Sequence, residues 1–231
     1  MAKLIVSMSK AETLTPAVED YAKAIYALET RGAGAVTTNA LAERIGVSAG
    51  SASAMVRRLA DLGLVEHRPY HGVSLTTRGA RVALETLRHH RLLERYLADE
   101  LGMSWDQVHK EAEVLEHVLS EELEELIAAK LGHPTRDPHG DPIPSAELEI
   151  DEVESVSLAA LEPGMRGTFV RVSDSDPDML RYLADRGIAP GDGLEVLEKQ
   201  PFGGPLTIAF PSGRHAIGGD LGRAMRVEVL P

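Results

Sequence analysis

Between residues 14 and 77 the apolar positions recur at helical spacing three times and then change to alternation. In LTPAVEDYAKAIYALET, Val18, Ala22, Ile25, Tyr26 and Leu28 form one face. Thr15, Pro16, Glu19 and Asp20 supply the cap, first-turn proline and acidic first turn of a helix starting near residue 16. RGAG (31–34) ends it. Leu41, Ala42 and Ile45 mark a short helix over 38–45; Gly46 breaks it, and Ser48 caps another running to about Leu62, with Ala52, Val56 and Leu59 inward. Two short helices about a glycine turn match a helix-turn-helix. LVEHR, a PYHG turn and VSLT then read as a hairpin, so the unit is predicted to be a winged helix.

The periodicity then lengthens. An amphipathic helix is predicted from Arg78 to Leu101, with Val82, Leu84, Leu87, Leu92, Leu93, Tyr96 and Leu97 on its apolar side. After a break at GMS, a second helix is predicted from Trp105 to about Leu131, where Leu123, Leu126 and Ile127 continue the stripe. This is more apolar surface than one winged helix covers, and a symmetric dimer interface is its simplest use. HPTRDPHGDPIPSAELEIDEVES (133–155) reads as loop and linker. From 156 the texture becomes short β-like runs (GTFVRVS, GLEVLEK, LTIAF, AMRVEVL) with one short helix in DPDMLRYLADRGI, which predicts a small SH3-like β-barrel. The expected organisation is a mainly α N-terminal part, with a winged helix-turn-helix over 14–77 and a helical dimerisation segment over 78–145. A linker (146–155) and the barrel (156–231) follow.

Composition narrows the chemistry. With no cysteine, disulfides and thiolate metal sites are excluded, so any metal must be held by carboxylate, imidazole, thioether, carbonyl or water. The opening MAKLIVSMSKAE is too short and too quickly polar for a signal peptide, and no run approaches a membrane span, so a cytoplasmic protein is expected. The net charge of −12 opposes nucleic-acid binding at first sight. Its distribution weakens that objection: residues 1–77 carry eight Lys/Arg and seven Asp/Glu, whereas 78–231 carry sixteen and twenty-nine. A near-neutral N-terminal module can bind DNA through local Arg and His, and a ligand neutralising the acidic remainder would favour it. On the second helix of the helix-turn-helix, Ser48, Gly50, Ser51 and Ala54 are small enough for close approach to base edges, and Arg57 and Arg58 suit phosphates. Thr38 and Asn39 on the preceding helix, and His67, Arg68 and His71 on the wing, are further candidate DNA contacts.

The stretch HKEAEVLEH (109–117) carries candidate metal chemistry. At 100° per residue His109, Glu113, Glu116 and His117 fall at roughly 0°, 40°, 340° and 80°, one side of a helix. Val108, Ala112, Leu115 and Leu119 lie on the adjacent, core-facing side, and Glu111 alone is expected to be plainly solvated. A charged helix flank would look the same, so the stretch does not decide by itself.

A winged helix followed by H-x-x-x-E-x-x-E-H, the loop DPHGDPIP and a small β-barrel resembles the diphtheria toxin repressor family of metal-dependent transcriptional regulators. The resemblance runs from about residue 14 to 230 and is carried by EDYAKAIYALE (19–29), RHHRLLERYL (88–97), HKEAEVLEH and PHGDPIP (138–144). It implies a primary metal site of Asp20, Glu113, Glu116 and His117. Iron-responsive members have methionine and cysteine at the positions of Asp20 and Glu113, so the oxygen ligands here resemble the manganese-responsive branch; carboxylate and water suit Mn²⁺. Some manganese regulators add a glutamate where this chain has Lys23, which puts a paired-manganese site built on it in doubt. A secondary site is implied from His90, Glu94, Asp137 and His139, completed by a carboxylate of the β-barrel. Asp174, Asp176 and Asp178 compete for that role, with Asp174 the best aligned, and His109 can join either site. The implied activity is that of a homodimer fixed on palindromic operator DNA by one or two Mn²⁺ per protomer, mainly as a repressor in manganese homeostasis. An Fe²⁺-dependent repressor of iron uptake and a winged-helix regulator answering to an organic ligand are the alternatives. An enzyme is not expected: a metal hydrolase would want H-E-x-x-H or its inverse, and a di-metal oxidase paired E-x-x-H motifs.

Overall fold

The computed structural model describes residues 14–32, 35–68 and 72–230. The chain forms two compact units, Met1–Thr86 and Leu87–Pro231. In the first, α1 (Pro16–Arg31), α2 (Thr38–Ile45) and α3 (Ala49–Asp61) precede the hairpin β1 (Val65–Arg68) and β2 (Gly72–Leu75). Thr37 caps α2 by accepting from Ala40 N, and Ser48 caps α3 by accepting from Ser51 N at 3.1 Å. Gly46 takes the left-handed φ of 76° that the sharp turn between them needs. Ile25, Leu41, Val56, Leu59, Leu64 and Val73 are buried together, so the predicted inner faces form one winged-helix core.

α4 (Thr77–Asp99) leads into the second unit. The long helix expected from Trp105 to Leu131 is instead two, α5 (Val108–Leu115) and α6 (Glu121–Lys130). Ser120 divides them: its side chain accepts from Leu123 N, and Glu121, Glu122 and Glu124 place negative charge on the first turn of α6. Leu92, Leu93, Ala112, Ile127, Ala128 and Ile143 make the core of this helical part. Val108 and Ala112 are buried as expected, but Leu115 is exposed and Leu119 only half-buried. Val114, Val118, Leu123 and Leu126 leave 68%, 76%, 48% and 61% of their surface open, apolar area that nothing among the described residues covers.

Residues 146–155 carry no helix or strand. Beyond them β3 (Val156–Ser157), β4 (Arg166–Val172), β5 (Gly193–Lys199), β6 (Leu206–Phe210), β7 (Gly213–Ile217) and β8 (Met225–Val229) form an antiparallel sheet in the order β3-β8-β4-β5-β6-β7. Bulges at Phe169/Arg171 and Val196/Glu198 bend β4 and β5 around Phe169, Leu183, Val196 and Ile208. The SH3-like sheet curves without closing: among the described residues no pairing joins β7 to β3. The expected short helix is α7 (Pro177–Ala184), and α8 (Gly219–Ala224) precedes β8. Among the described residues no helix is long and apolar enough to cross a membrane.

Candidate metal centre

The second unit gathers most of the candidate ligands into one polar cluster. α4 presents His90 and Glu94 one turn apart, α5 presents His109 and Glu113, the DPHG turn presents Asp137 and His139, and the chain leaving β4 presents Asp174. Glu94 is the hub. Its Oε1 lies 3.0 Å from His90 Nε2 and 3.2 Å from His109 Nδ1, and its Oε2 lies 3.7 Å from His139 Nδ1. Asp174 Oδ2 approaches His109 Nδ1 at 3.3 Å. One ligand atom from each of Glu94, Asp137 and His139, and likewise from Glu94, His109 and Asp174, lies within 4.8 Å of the others. One cation with ligand bonds of roughly 2.0–2.5 Å spans such a set.

Protons and hydrogen bonds hold the cluster in this state. Burial opposes ionisation of Glu94, yet His109, His139 and His90 outweigh it and keep the carboxyl well below the usual carboxylate range. Burial likewise opposes charge on His139, but the Glu94 carboxylate raises its pKa to about 9. Asp137 is pushed well above its ordinary value, by burial first and then by the charges of Asp141 and Glu94. Its Oδ1 accepts from the backbone N–H groups of His139 and Asp141, both at 2.9 Å, so it also caps the DPHG turn. His139 Nε2–H donates to the Trp105 carbonyl at 2.7 Å. Its Nδ1 is buried with no hydrogen-bond partner among the described residues, a position that suits a cation once its proton has left.

The three competing aspartates separate cleanly. Asp176 caps α7 by accepting from Asp178 N and Met179 N, Asp178 pairs with Arg181, and Asp174 alone of the three is in the cluster. His109 falls with Glu94 and Asp174, and only at 3.9 Å from Glu113. Of the implied primary set, Glu116 and His117 are adjacent, where α5 ends, with Glu116 Oε1 3.5 Å from His117 Nε2. Glu116 is buried, and its Oε2 lies 2.5 Å from His90 Nδ1. His90 therefore faces both groups, one ring nitrogen to each. Glu113, 3.8 Å from His90 Nδ1, keeps 43% of its side chain exposed, so Glu111 is not the only solvated member of the stretch. Asp20 is half-buried on α1 of the first unit.

Sequence reasoning missed the supports. His89 Nδ1–H donates to the Glu116 carbonyl at 3.1 Å, and its Nε2 lies 2.8 Å from Glu124 Oε2. Glu124 Oε1 accepts from Arg88 Nε at 2.5 Å. Burial resists charge on Glu124, but His89 and Arg88 hold its pKa below the usual value. Arg91 Nε lies 3.7 Å from Asp137 Oδ2. The signal was the run RHHR on a helix, followed by the buried Leu92 and Leu93, since polar residues beside a core need partners.

On the first unit, Ser51, Ala54, Arg57 and Arg58 are exposed on α3, as are Gly50 and Ser48, although the Ser48 hydroxyl is engaged as the cap. Asn39 is exposed and Thr38 half-exposed on α2. His67 is exposed on β1, Arg68 ends that strand, and His71 lies outside the described residues.

Three family models match in chain order. They are the iron dependent repressor N-terminal DNA binding domain over 13–73, the iron dependent repressor metal binding and dimerisation domain over 76–145, and the FeoA domain over 156–229. The iron-dependent repressor IdeR of Mycobacterium tuberculosis is 32% identical, covering 93% of this chain and 98% of its own. The chain belongs to the diphtheria toxin repressor family. It is thus one of a family of metal-dependent, DNA-binding transcriptional repressors. The diphtheria toxin repressor of Corynebacterium glutamicum is 30% identical over 93% of this chain and 97% of its own. Among solved structures, a manganese-dependent transcriptional repressor in complex with manganese is 45% identical, with a TM-score of 0.84 over 92% of this chain and all of that one.

Proposed function

We propose that this family member is a manganese-responsive repressor that binds palindromic operator DNA as a homodimer. The observation that carries the reading is the donor set: Glu94 is shared by two groups, one with Asp137 and His139 and one with His109 and Asp174, which offer carboxylate and imidazole atoms and no sulfur. Oxygen-rich sets suit Mn²⁺, whereas thiolate or thioether ligands favour later or softer metals. Asp20 and Glu113, which stand where iron-responsive members have methionine and cysteine, support the same assignment for the primary set of Asp20, Glu113, Glu116 and His117. So does the 45% identity to a repressor named as manganese-dependent, against 32% to one named as iron-dependent.

A bound divalent cation supplies the positive charge that lets these carboxylates converge. The chain's own residues do the rest. Glu94 and Asp174 bring carboxylates from α4 and from the chain leaving β4, while Arg88, His89 and Glu124 hold the backbone of Glu116 in place. Asp20 comes from the first unit and Glu113, Glu116 and His117 from the second, so a shared ligand set would couple cation binding to the helix-turn-helix. Moving a 1:99 population to 99:1 takes about 5.5 kcal/mol of differential binding, within reach of a dimer carrying two loaded protomers. The exposed Val114, Val118 and Leu126 face is the proposed dimer surface, and the two-fold matches a palindrome.

The test is selection of duplexes from a randomised pool by the full-length protein in chelator, in Mn²⁺, and in Fe²⁺ under anaerobic conditions. A palindrome recovered only with Mn²⁺, or at far lower Mn²⁺ than Fe²⁺, is expected. Recovery at lower Fe²⁺ would make the protein an iron regulator, and equal recovery in chelator would remove the metal from the switch.

A further inference from the structure

Trp105, the chain's only tryptophan, stands just before α5 and makes three separate contacts around the cluster. Its carbonyl accepts the His139 Nε2–H at 2.7 Å. Its indole stacks on the His139 ring, centroids 5.9 Å apart and planes 13° from parallel. Its own Nε1–H donates to the Leu180 carbonyl of α7 at 3.1 Å. A carbonyl only accepts, so the first contact keeps the hydrogen on Nε2 and leaves Nδ1 directed at Glu94. The stack fixes the ring plane, and the indole bond fixes α7.

α7 matters because it begins three residues after Asp174. Asp176 caps the helix, so the position of α7 sets that of the carboxylate beside His109. The neighbouring Asp106 repeats the attachment, receiving Arg181 NH1 at 2.8 Å with its side chain only 8% exposed. The backbone of the DPHG turn is tied in as well, since Val172 N donates to the His139 carbonyl at 3.0 Å. Two ligands from distant parts of the chain, His139 and Asp174, thus depend on one residue that offers no ligand atom of its own.

We propose that Trp105 is a positioning residue of the second metal centre, holding His139 and Asp174 in register on the two sides of Glu94. The proposal rests on the reading of Glu94, His109, His139 and Asp174 as a cation site. Groups that orient ligands from behind commonly contribute about 10–100-fold in affinity. Removing only the indole bond should therefore weaken one class of cation far more than the other.

The experiment is a Mn²⁺ titration of the full-length protein, with free aqueous Mn²⁺ counted by electron paramagnetic resonance and indole emission recorded in parallel. Wild type is expected to show two classes of bound Mn²⁺, with emission changing in step with the class that Asp174→Asn removes. Trp105→Phe, which keeps an aromatic face and the carbonyl, is expected to weaken that class by about 10–100-fold and to move the other far less. If Trp105→Phe binds both classes as wild type does, or if wild-type emission ignores the Asp174-dependent class, the positioning role is wrong while the second centre stands. A single class in wild type would remove the second centre and this inference with it. The emission arm needs no Trp105 variant, so a misfolded Trp105→Phe leaves the question decidable.

Discussion

Lowering the pH should weaken the proposed second centre far more steeply than the chemistry of free imidazole predicts. His139 has a pKa of about 9, because Glu94 stabilises its charged form more than burial opposes it. A cation taking Nδ1 must displace that proton. Below pH 9 affinity should therefore fall tenfold for each unit of pH, about 100-fold and about 3 kcal/mol between pH 9 and pH 7. Calorimetric titration in two buffers of different ionisation enthalpy counts the protons released. About one per cation at this centre is expected at pH 7, against about a quarter for an imidazole of ordinary pKa. Release near zero, or an affinity flat between pH 7 and 9, would refute the coupling of His139 to Glu94. The same shift sets the stability of the metal-free fold. Since the folded value lies above the ordinary 6.5, charged His139 stabilises fully below about pH 6.5, and the contribution, of order 3 kcal/mol, is lost as pH rises through about 9. Chelated protein should show this loss in denaturant midpoint, and manganese-loaded protein should resist it.

Three further outcomes are expected. Glu113→Cys should move selectivity from Mn²⁺ toward Fe²⁺ or Zn²⁺ in a DNA-binding titration, and an unchanged metal ranking would remove the argument from donor softness. Arg58→Ala, on the exposed side of α3, should weaken binding to all duplexes alike and lower the salt slope by about one; altered sequence preference would show that it reads bases. Gly140→Ala should destabilise by about 2–5 kcal/mol in urea unfolding, because φ is +91° and the added Cβ would lie 1.9 Å from the Val170 carbonyl oxygen. A shift under about 1 kcal/mol would mean that the turn moves freely on β4.

What the sequence disclosed and what it withheld follow the range of the interactions. The helix-turn-helix was legible because its signals are local: the caps Thr37 and Ser48, the turn glycine Gly46 and the apolar faces all act within a few residues. The break between α5 and α6 was legible in principle, since Ser120 followed by glutamates is a cap, but the continuing apolar stripe hid it. β7 escaped because GRHAI has no apolar alternation; as an edge strand paired, among the described residues, with β6 alone, it needs none. Spacing alone brought out His109, Glu113, Glu116 and His117, and the other candidate ligands came from the family resemblance. The resemblance already favoured Asp174 over Asp176 and Asp178, but that His90 faces Glu116 and that Trp105 backs His139 are products of tertiary packing, which no local pattern encodes.

His90 has two ring nitrogens, and the fold gives one to Glu116 and the other to Glu94 and His109. A rigid five-membered ring cannot adjust at one edge without moving the other. Whatever draws Glu116 toward an ion is therefore felt at Glu94, and by thermodynamic reciprocity the reverse holds to the same degree. For two such proposed centres the occupancy curve would not be the sum of two independent curves. If both proposed centres hold an ion, occupancy would rise about a threshold set by the pair, and a change at His90 would alter the steepness of the response as well as its midpoint.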